Sequence, residues 1–231
     1  MALLALAGRP GAISRAEIIV RPDAIRCTTM WNWLRSLLFR GSRSGDVAGQ
    51  GEQFAQGRIR LLVADITTLP VDAIVNAANE DLIGTAGVAA AIQAAAGPEL
   101  VKECLAIGGC PTGQARLTRG YRLPARFVIH AVGPVYQSGR QGEAALLQSC
   151  YTESLKLAAE HQLGTIAFPC ISTGIFGYPN EEACGIALAT VRDWIKGHEL
   201  PREVVFCCYS AEDGRVYRQR LGEIEAEPHQ A

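Results

Sequence analysis

The sequence predicts an α/β domain of ordinary size that follows an N-terminal extension. From residue 58 onward, short runs rich in β-branched and aliphatic residues alternate with longer helical patterns. Several of the short runs are apolar throughout, which is typical of strands that helices cover on both faces of a sheet. A chain of 231 residues, 48% hydrophobic and 19% charged, is long enough for one such domain and has the composition of a globular protein.

The predicted strands and helices follow one another in a regular order. The strands are expected at residues 59–64, 73–77, 115–118, 127–132, 165–170 and 204–209. The helices are expected at residues 88–96, 98–106, 143–161, 180–197 and 211–221. Gly97-Pro98 divides the first two helices, because proline disfavours a helical residue before it but suits the first turn of a helix.

The predicted domain occupies residues 58–222, between an extension of residues 1–57 and a tail of residues 223–231. Residues 41–57 are rich in Gly, Ser and Gln, which is typical of a linker. Before them, residues 30–43 mix aromatic and aliphatic side chains with three arginines. This pattern fits an amphipathic helix at a membrane surface, a short helix packed on the domain, a loosely ordered leader or, least well, an organelle-targeting segment.

The overall charge and the cysteines exclude several classes of function. A formal net charge of −1 provides no broad positive field, so general nucleic-acid binding is not expected, although a single nucleotide could bind. The eight cysteines form no CxxC pair, which indicates buried thiols and no metal site. The first apolar run, residues 2–7, is too short for a membrane span and lacks the basic start of a secretory signal. We therefore expect a cytoplasmic protein without a metal or a cofactor.

The first candidate binding residue directly follows the first apolar strand. In an open sheet of this kind, ligands bind beyond the carboxyl ends of the strands, where loops and helix N-termini meet. The carboxylate of Asp65 could accept a hydrogen bond from an exocyclic amine such as that of adenine, or it could cap the turn that follows it. The residues alone favour neither role.

The segment after the second predicted strand combines an amide side chain with a glycine-containing loop. Asn79 could hydrogen-bond the hydroxyls of a ribose or the backbone of its own loop. After it, Gly84-Thr85-Ala86-Gly87 leads into an alanine-rich helix. Glycines let backbone N–H groups approach an anion, and a helix N-terminus adds partial positive charge, so this segment is typical of a phosphate site.

A third segment, residues 172–177, follows the strand predicted at residues 165–170 and contains two hydroxyls and two glycines. Its amides could hold a diphosphate, and the ring of Phe176 could pack on a sugar. Alternatively, the segment is an ordinary strand-to-helix loop with Phe176 in the core. One such loop is readily explained as an ordinary turn, but three of them at one edge of a sheet are harder to explain as unrelated turns.

Four stretches of the sequence resemble the macro domain family, in the branch of the MacroD-type ADP-ribosyl hydrolases. They are ADITTLPVDAIVNAAN, GVAAAIQAAAG, CPTGQARLTRGYRLPARFVIHAVGP and FPCISTGIFGYP, in the order and spacing of that family. The resemblance implies a three-layer α/β fold in which helices flank both faces of a mixed central sheet. It also implies ADP-ribose, O-acetyl-ADP-ribose or a mono-ADP-ribosylated protein as the partner.

The same resemblance implies roles for individual residues. Asp65 would hold the adenine amine, with a backbone contact from Ile66, while two loops would embrace the diphosphate. Asn79, the expected catalytic residue, would position the distal ribose together with Phe176. The complete set of expected ligand-binding residues is Asp65, Ile66, Asn79, Gly84, Gly87, Val88, Ser172, Thr173, Gly174, Ile175, Phe176 and Gly177.

One loop departs from the MacroD-type pattern. That branch usually has four glycines followed by Val-Asp-Gly, whereas this chain has Gly84-Thr85-Ala86-Gly87-Val88-Ala89-Ala90. Ala89 replaces the catalytic aspartate, and acid–base assistance of that kind is commonly worth about 100- to 10,000-fold in rate. Other macro domains also have Val-Ala here. Thr85 and Ala86 would strain the loop wherever it requires a left-handed backbone.

We therefore expect a hydrolase of ADP-ribosyl esters, acting in protein de-mono-ADP-ribosylation or as an O-acetyl-ADP-ribose deacetylase. The alternative is an ADP-ribose reader module whose catalysis is weak or lost because of Ala89. Glu80 and Asp81 lie next to Asn79 and could replace the missing carboxylate, but solvent exposure is the stronger expectation for them. His130, on an apolar strand, is expected to be a core histidine.

Overall fold

The computed structural model describes residues 51–226, so the expectations for residues 30–43 fall outside it. The strands in this range are β1 Glu52–Phe54, β2 Ile59–Val63, β3 Ala73–Ala78, β4 Ala115–Arg119, β5 Phe127–Val132, β6 Thr165–Phe168 and β7 Glu203–Cys208. The helices are α1 Gly87–Ala96, α2 Pro98–Ile107, α3 Glu143–Glu160, α4 Asn180–Gly197 and α5 Ala211–Ala226, and a short 3-10 helix at Ile66–Thr68 follows β2.

The seven strands form one mixed sheet in the order β1-β2-β7-β6-β3-β5-β4. The five inner strands, β2, β7, β6, β3 and β5, are parallel to their neighbours, and the edge strands β1 and β4 are antiparallel to theirs. The parallel strands all end at the same edge of the sheet. The loops that follow these strands therefore meet there.

Helices cover both faces of the sheet, as the sequence resemblance implies. On one face, α1 and α2 pack through side chains such as Ile92 and Leu100. On the other face, α3, α4 and α5 pack through side chains such as Leu147, Leu188 and Tyr217. The expected three-layer α/β fold is confirmed.

The first strand lies in the segment predicted to be a linker. Residues 52–54 pair with β2, with Glu52 opposite Leu61, and the carboxylate of Glu52 forms a 2.6 Å ion pair with Arg218 of α5. The prediction that the domain begins at residue 58 is therefore wrong for this edge of the sheet. A strand of three residues is too short to show a hydrophobic period, and the surrounding glycines obscured it.

The last helix is longer than predicted. It continues through Gly222 to Ala226, so the tail predicted from residue 223 begins inside it. Side-chain bonds support the added turn, because Gln219 and Arg220 both bond to the carboxylate of Glu223, at 3.0 and 3.2 Å. A single glycine weakens a helix without ending it when neighbouring turns are held in this way.

No helix within residues 51–226 combines the length and the apolar character that a membrane crossing requires. In the same range, the acidic, histidine and cysteine side chains form no cluster of three or more that could hold a metal ion.

Candidate ligand-binding site

The carboxyl edge of the parallel strands opens on one continuous cavity of roughly 680 Å³. Asp65 after β2, Asn79 after β3 and Phe176 after β6 all line it. Small-molecule sites commonly measure about 300–1,000 Å³, so the cavity has room for a ligand of dinucleotide-like size. The fold thus brings three loops that are far apart in the chain to one site.

All the expected ligand-binding residues line this cavity except Gly177. Gly177 closes the turn of its loop instead, because its N–H donates to the carbonyl oxygen of Gly174 at 2.9 Å. Its φ of +68° lies in the left-handed region, which favours glycine. Gly177 therefore shapes the loop without lining the cavity.

At one end of the cavity, Asp65 performs the capping role that the sequence left open. Its Oδ1 atom accepts hydrogen bonds from the backbone N–H and the hydroxyl of Thr67, at 2.9 and 2.7 Å. Both bonds use the same oxygen, so the second carboxylate oxygen of this exposed residue remains able to accept from a ligand amine. The capping and ligand-binding interpretations are therefore compatible.

An exposed aromatic ring lies at the same end. Tyr209, which follows β7, is 87% exposed and lines the cavity. It belongs to the Asp65 end because β2 and β7 are paired there, with the N–H of Ala64 donating to the carbonyl oxygen of Cys208 at 3.0 Å. An exposed ring beside a carboxylate acceptor suits a planar base that carries an amino group.

The N-terminus of α1 also lines the cavity. Ala86 occupies the N-cap position and provides no side-chain cap, which leaves the first backbone N–H groups of the helix without a capping side chain and suited to an anion. The left-handed backbone of this loop falls on Gly87, with φ of +59°, whereas Ala86 is extended at φ of −147°. The expected strain at Thr85 and Ala86 is therefore absent, because the backbone there requires no glycine.

The loop after β6 lines the same cavity as α1. Ser172 is only 5% exposed and adopts φ of +66°, a conformation that costs free energy for a residue with a side chain. Its Oγ has no hydrogen-bond partner within the described part of the chain. Strained residues persist when the surrounding structure holds them, and they are common in ligand-binding loops.

Asn79 and Phe176 line the cavity from the loops after β3 and β6. The Asn79 side chain donates from Nδ2 to the carbonyl oxygen of Ile83 at 3.2 Å, while its Oδ1 has no partner among the described residues. Phe176 is half-buried, and its carbonyl oxygen accepts from the N–H of Tyr136 at 2.8 Å. Phe176 lines the cavity and belongs to neither hydrophobic core cluster, which is contrary to the alternative in which it is tucked into the core.

Among residues 51–226, neither acidic neighbour of Asn79 takes the place of the missing aspartate in the glycine loop. Ala89 is buried and lines the cavity with its methyl group. Glu80 accepts a 2.8 Å bond from the hydroxyl of Thr112, and Asp81 accepts a 2.6 Å bond from the N–H of Ile83. Neither acidic residue lines the cavity, so neither is placed to activate a water molecule in it.

His130 lies in the core, as expected. Its two ring nitrogens contact the amide of Asn76 at 3.1 Å and the hydroxyl of Thr118 at 2.9 Å, and burial lowers its pKa to about 4. The imidazole is therefore neutral at physiological pH, and it is not part of the cavity wall.

Several residues of the cavity wall were not among those predicted. They include Gly133 after β5, Cys170 after β6, and Cys207, Tyr209 and Asp213 at and beyond the end of β7. The rule that ligands bind beyond the carboxyl ends of strands applies equally to β5 and β7. The predicted strand at residues 204–209 was therefore the signal that could have indicated Tyr209.

Fold and site together define an α/β nucleotide-binding module, in which a helix N-terminus without a side-chain cap and a strained loop both line the cavity. The model of the macro domain family matches residues 75–187 of the chain. The chain is 57% identical over 163 residues to a macro domain-containing protein of Chlorobaculum tepidum, which covers 71% of this chain and 95% of that protein. The chain belongs to the macro domain family.

Two further relatives are an ADP-ribose glycohydrolase and a macrodomain solved with ADP-ribose. The mouse ADP-ribose glycohydrolase MACROD1 is 49% identical over 166 residues, which cover 71% of this chain and 51% of the mouse protein. The Trypanosoma brucei macrodomain, solved in complex with ADP-ribose, is 41% identical and superimposes with a TM-score of 0.68 over 72% of this chain and 70% of that one.

Proposed function

We propose that this protein binds ADP-ribose in the cavity and hydrolyses a bond at the distal ribose of an ADP-ribosylated substrate. The observation that carries the proposal is the single cavity joining Asp65, the N-terminus of α1, Asn79 and Phe176. Its features match the ligand in order: a carboxylate acceptor for adenine, free N–H groups for the diphosphate, and an amide and a ring for the ribose. The descriptions of the relatives support the same ligand and reaction.

The proposed substrates are ADP-ribosyl esters, either acidic side chains of mono-ADP-ribosylated proteins or O-acetyl-ADP-ribose. Among the described residues that line the cavity, the carboxylates are Asp65 and Asp213. Asp213 is engaged with Asn180 and Ser210, at 2.9 and 2.6 Å, and Asp65 lies at the adenine end. Asn79 and the diphosphate of the ligand itself are therefore left to orient the attacking water.

The proposal is tested on one protein sample by calorimetry with ADP-ribose and by single-turnover release of ADP-ribose from a glutamate-modified protein. We expect binding and a slow release that falls further in Asn79→Ala. Glu80→Gln is the matched control, because it changes the neighbouring residue without altering the cavity wall. A release rate equal to that in buffer would refute the enzymatic proposal.

Ala89 favours a second candidate function, that of a reader which binds ADP-ribose without turning it over. General acid–base assistance is commonly worth about 100- to 10,000-fold, so its absence can reduce turnover below detection. In that case the wild-type protein binds without hydrolysis and Ala89→Asp gains activity, because residue 89 lies in the cavity wall. Activity in the wild type that is unchanged in Ala89→Asp would exclude the reader.

We also propose a cytoplasmic location. The seven cysteines in the described part of the chain are free thiols, and free thiols are typical of proteins in a reducing compartment. Fractionation of cells that express the full chain tests this proposal.

A further inference from the structure

Two cysteine thiols lie side by side beneath the cavity. Cys170 follows β6 by two residues and Cys208 is the last residue of β7, and their sulfur atoms are 3.8 Å apart. Phe168 pairs with Phe206 in parallel, so the same register carried two residues further places Cys170 opposite Cys208. Neighbouring strands lie about 4.8 Å apart, within the range of about 4.4–6.8 Å between Cα atoms that a disulfide bridges.

The two thiols differ in their access to solvent. Cys170 is half-buried and lines the cavity, whereas Cys208 is fully buried in the core face that α3, α4 and α5 cover. Cys170 is therefore the more accessible of the two cysteines to a small oxidant, and a ligand in the cavity would lie against the same residue.

We propose that Cys170 and Cys208 are a peroxide-oxidisable disulfide site, and that closing this disulfide weakens ligand binding in the cavity. The Cys170 thiolate attacks hydrogen peroxide, which breaks the O–O bond and yields a sulfenic acid and hydroxide, and the hydroxide takes up the proton that the Cys170 thiol released to become water. The Cys208 sulfur then attacks the Cys170 sulfur and displaces hydroxide, which takes up the Cys208 proton as a second water. Two thiols and one peroxide thus give one disulfide and two waters.

The second step is the slower one. The hydrogen bond between the two thiols and burial both raise the pKa of the Cys208 thiol well above its usual range. The thiolate form is therefore scarce, and the sulfenic acid on Cys170 persists long enough to be trapped by dimedone.

Closure of the disulfide acts on the loop that follows Cys170. The sulfur atoms must approach from 3.8 Å to about 2.05 Å. The hydroxyl of Thr173 donates to the carbonyl oxygen of Cys170 at 3.1 Å, and Ser172 is held in a left-handed conformation between them. A displacement of Cys170 is therefore transmitted to the loop proposed to hold the diphosphate, and misplacements of about 1 Å in a positioned group can cost on the order of 100-fold.

The site itself is tested on the reduced full chain without any ligand. After exposure to hydrogen peroxide, free thiols are blocked with N-ethylmaleimide, and proteolysis with tandem mass spectrometry identifies linked peptides. We expect a Cys170–Cys208 link that is reversed by dithiothreitol and absent from Cys208→Ala and Cys170→Ser. Cys184→Ala, which removes another fully buried cysteine of the same core face, should retain the link. A link through any other cysteine, or only sulfinic and sulfonic acids on Cys170, overturns the proposal.

The consequence for binding rests on the proposed function and is measured separately. Calorimetry with ADP-ribose should show an affinity at least about tenfold weaker for the oxidised protein than for the reduced one, with recovery in dithiothreitol. Peroxide-treated Cys208→Ala should lose less affinity than the peroxide-treated wild type, because it cannot close the disulfide, and saturating ADP-ribose should slow formation of the link in the wild type. An unchanged affinity in the linked protein overturns the consequence. Failure of the reduced protein to bind ADP-ribose is a failure of the proposed function, and the mapped link still decides the disulfide site.

Discussion

Ala89 of α1 packs directly on the backbone of Gly84, so that a Cβ atom at position 84 would collide with the Cβ atom of Ala89. The contact couples the glycine loop to the first turn of the helix. Glycine is necessary at position 84 because a side chain would clash with Ala89. The backbone conformation is not the reason, because φ of Gly84 is not in the left-handed region. The loop therefore packs closely against the first turn of the helix at the proposed diphosphate site.

We predict that Gly84→Ala reduces the free energy of unfolding by about 1–3 kcal/mol, the usual cost of forcing a methyl group into a packed site. Affinity for ADP-ribose should fall at the same time, because the N-terminus of α1 is displaced. Urea denaturation and calorimetry measure the two effects. Gly185→Ala, in α4 with open space around the new Cβ, is the control and should stabilise the helix slightly. Equal stability of the two variants would contradict the packing argument.

We predict that Tyr209→Ala weakens ADP-ribose binding without loss of stability. The ring is 87% exposed, so it contributes little to the core, but it lines the cavity beside Asp65. Stacking of a base on an aromatic ring is worth about 1–3 kcal/mol, which corresponds to roughly tenfold or more in affinity. Tyr121→Ala removes another exposed tyrosine outside the cavity wall and should leave affinity unchanged.

We predict that His130 makes the stability fall as pH falls from about 6.5 toward 4. Burial lowers its pKa from 6.5 to about 4 in the folded state, so between these values only the unfolded chain takes up the proton. The unfolded state is thereby favoured by up to about 1.4 kcal/mol per pH unit. Above pH 6.5 the imidazole is neutral in both states and the effect vanishes. In urea denaturation, His130→Leu should show a shallower pH dependence in this window, and an unchanged slope would contradict the prediction.

We predict that Glu143 anchors the loop against which Phe176 rests. Its carboxylate accepts hydrogen bonds from the backbone N–H groups of Gln137, Ser138, Gly139 and Gln141. Hydrogen bonds from backbone N–H groups, the largest effect coming from the N–H of Glu143 itself, lower its pKa to about 2. Because the folded pKa lies below the ordinary value of 4.5 for a glutamate, this stabilisation is present above pH 4.5 and is lost as pH falls toward 2.

Glu143→Gln should therefore lower the melting temperature at pH 7 and flatten its dependence on pH between 4.5 and 2. It should also raise the Kd for ADP-ribose, because the N–H of Tyr136 in this loop bonds to the carbonyl oxygen of Phe176. Glu153→Gln, on the same helix and ion-paired only to Lys156, is the matched control. A melting temperature as pH-dependent as that of the wild type would count against the anchoring role.

Elements with a complete local pattern were predicted with their observed bounds. β5 Phe127–Val132 is a continuous buried run, and α4 Asn180–Gly197 is an amphipathic segment that begins directly after a proline. In contrast, β1 Glu52–Phe54 was missed, because three residues form a strand only through hydrogen bonds to a partner strand. Local pattern is sufficient for long elements and insufficient for short edge strands.

The binding site likewise has residues that the local sequence pattern predicted and residues that it did not. Asp65, Asn79 and Phe176 were predicted because each follows a strand and has a side chain suited to one part of the ligand. Tyr209 was missed, although the same rule applied to β7, and Gly177 was assigned to the cavity but closes a turn. Asp65 could cap its turn or bind a ligand amine, and the choice between these roles depended on its distances to Thr67 and to the cavity. Residue spacing along the chain does not determine such distances.

The sequence by itself determined the α/β class, the family and the three loops that meet at one edge of the sheet. Periodicity, turn chemistry and strand order are local properties, or follow from parallel strands that all end on the same side. Only the tertiary structure decided that Glu80 and Asp81 are held away from the cavity, that Ala89 rests on Gly84 and that Cys170 contacts Cys208. Those relationships depend on packing between segments distant in the chain, and packing is set by shape and distance that no single segment contains.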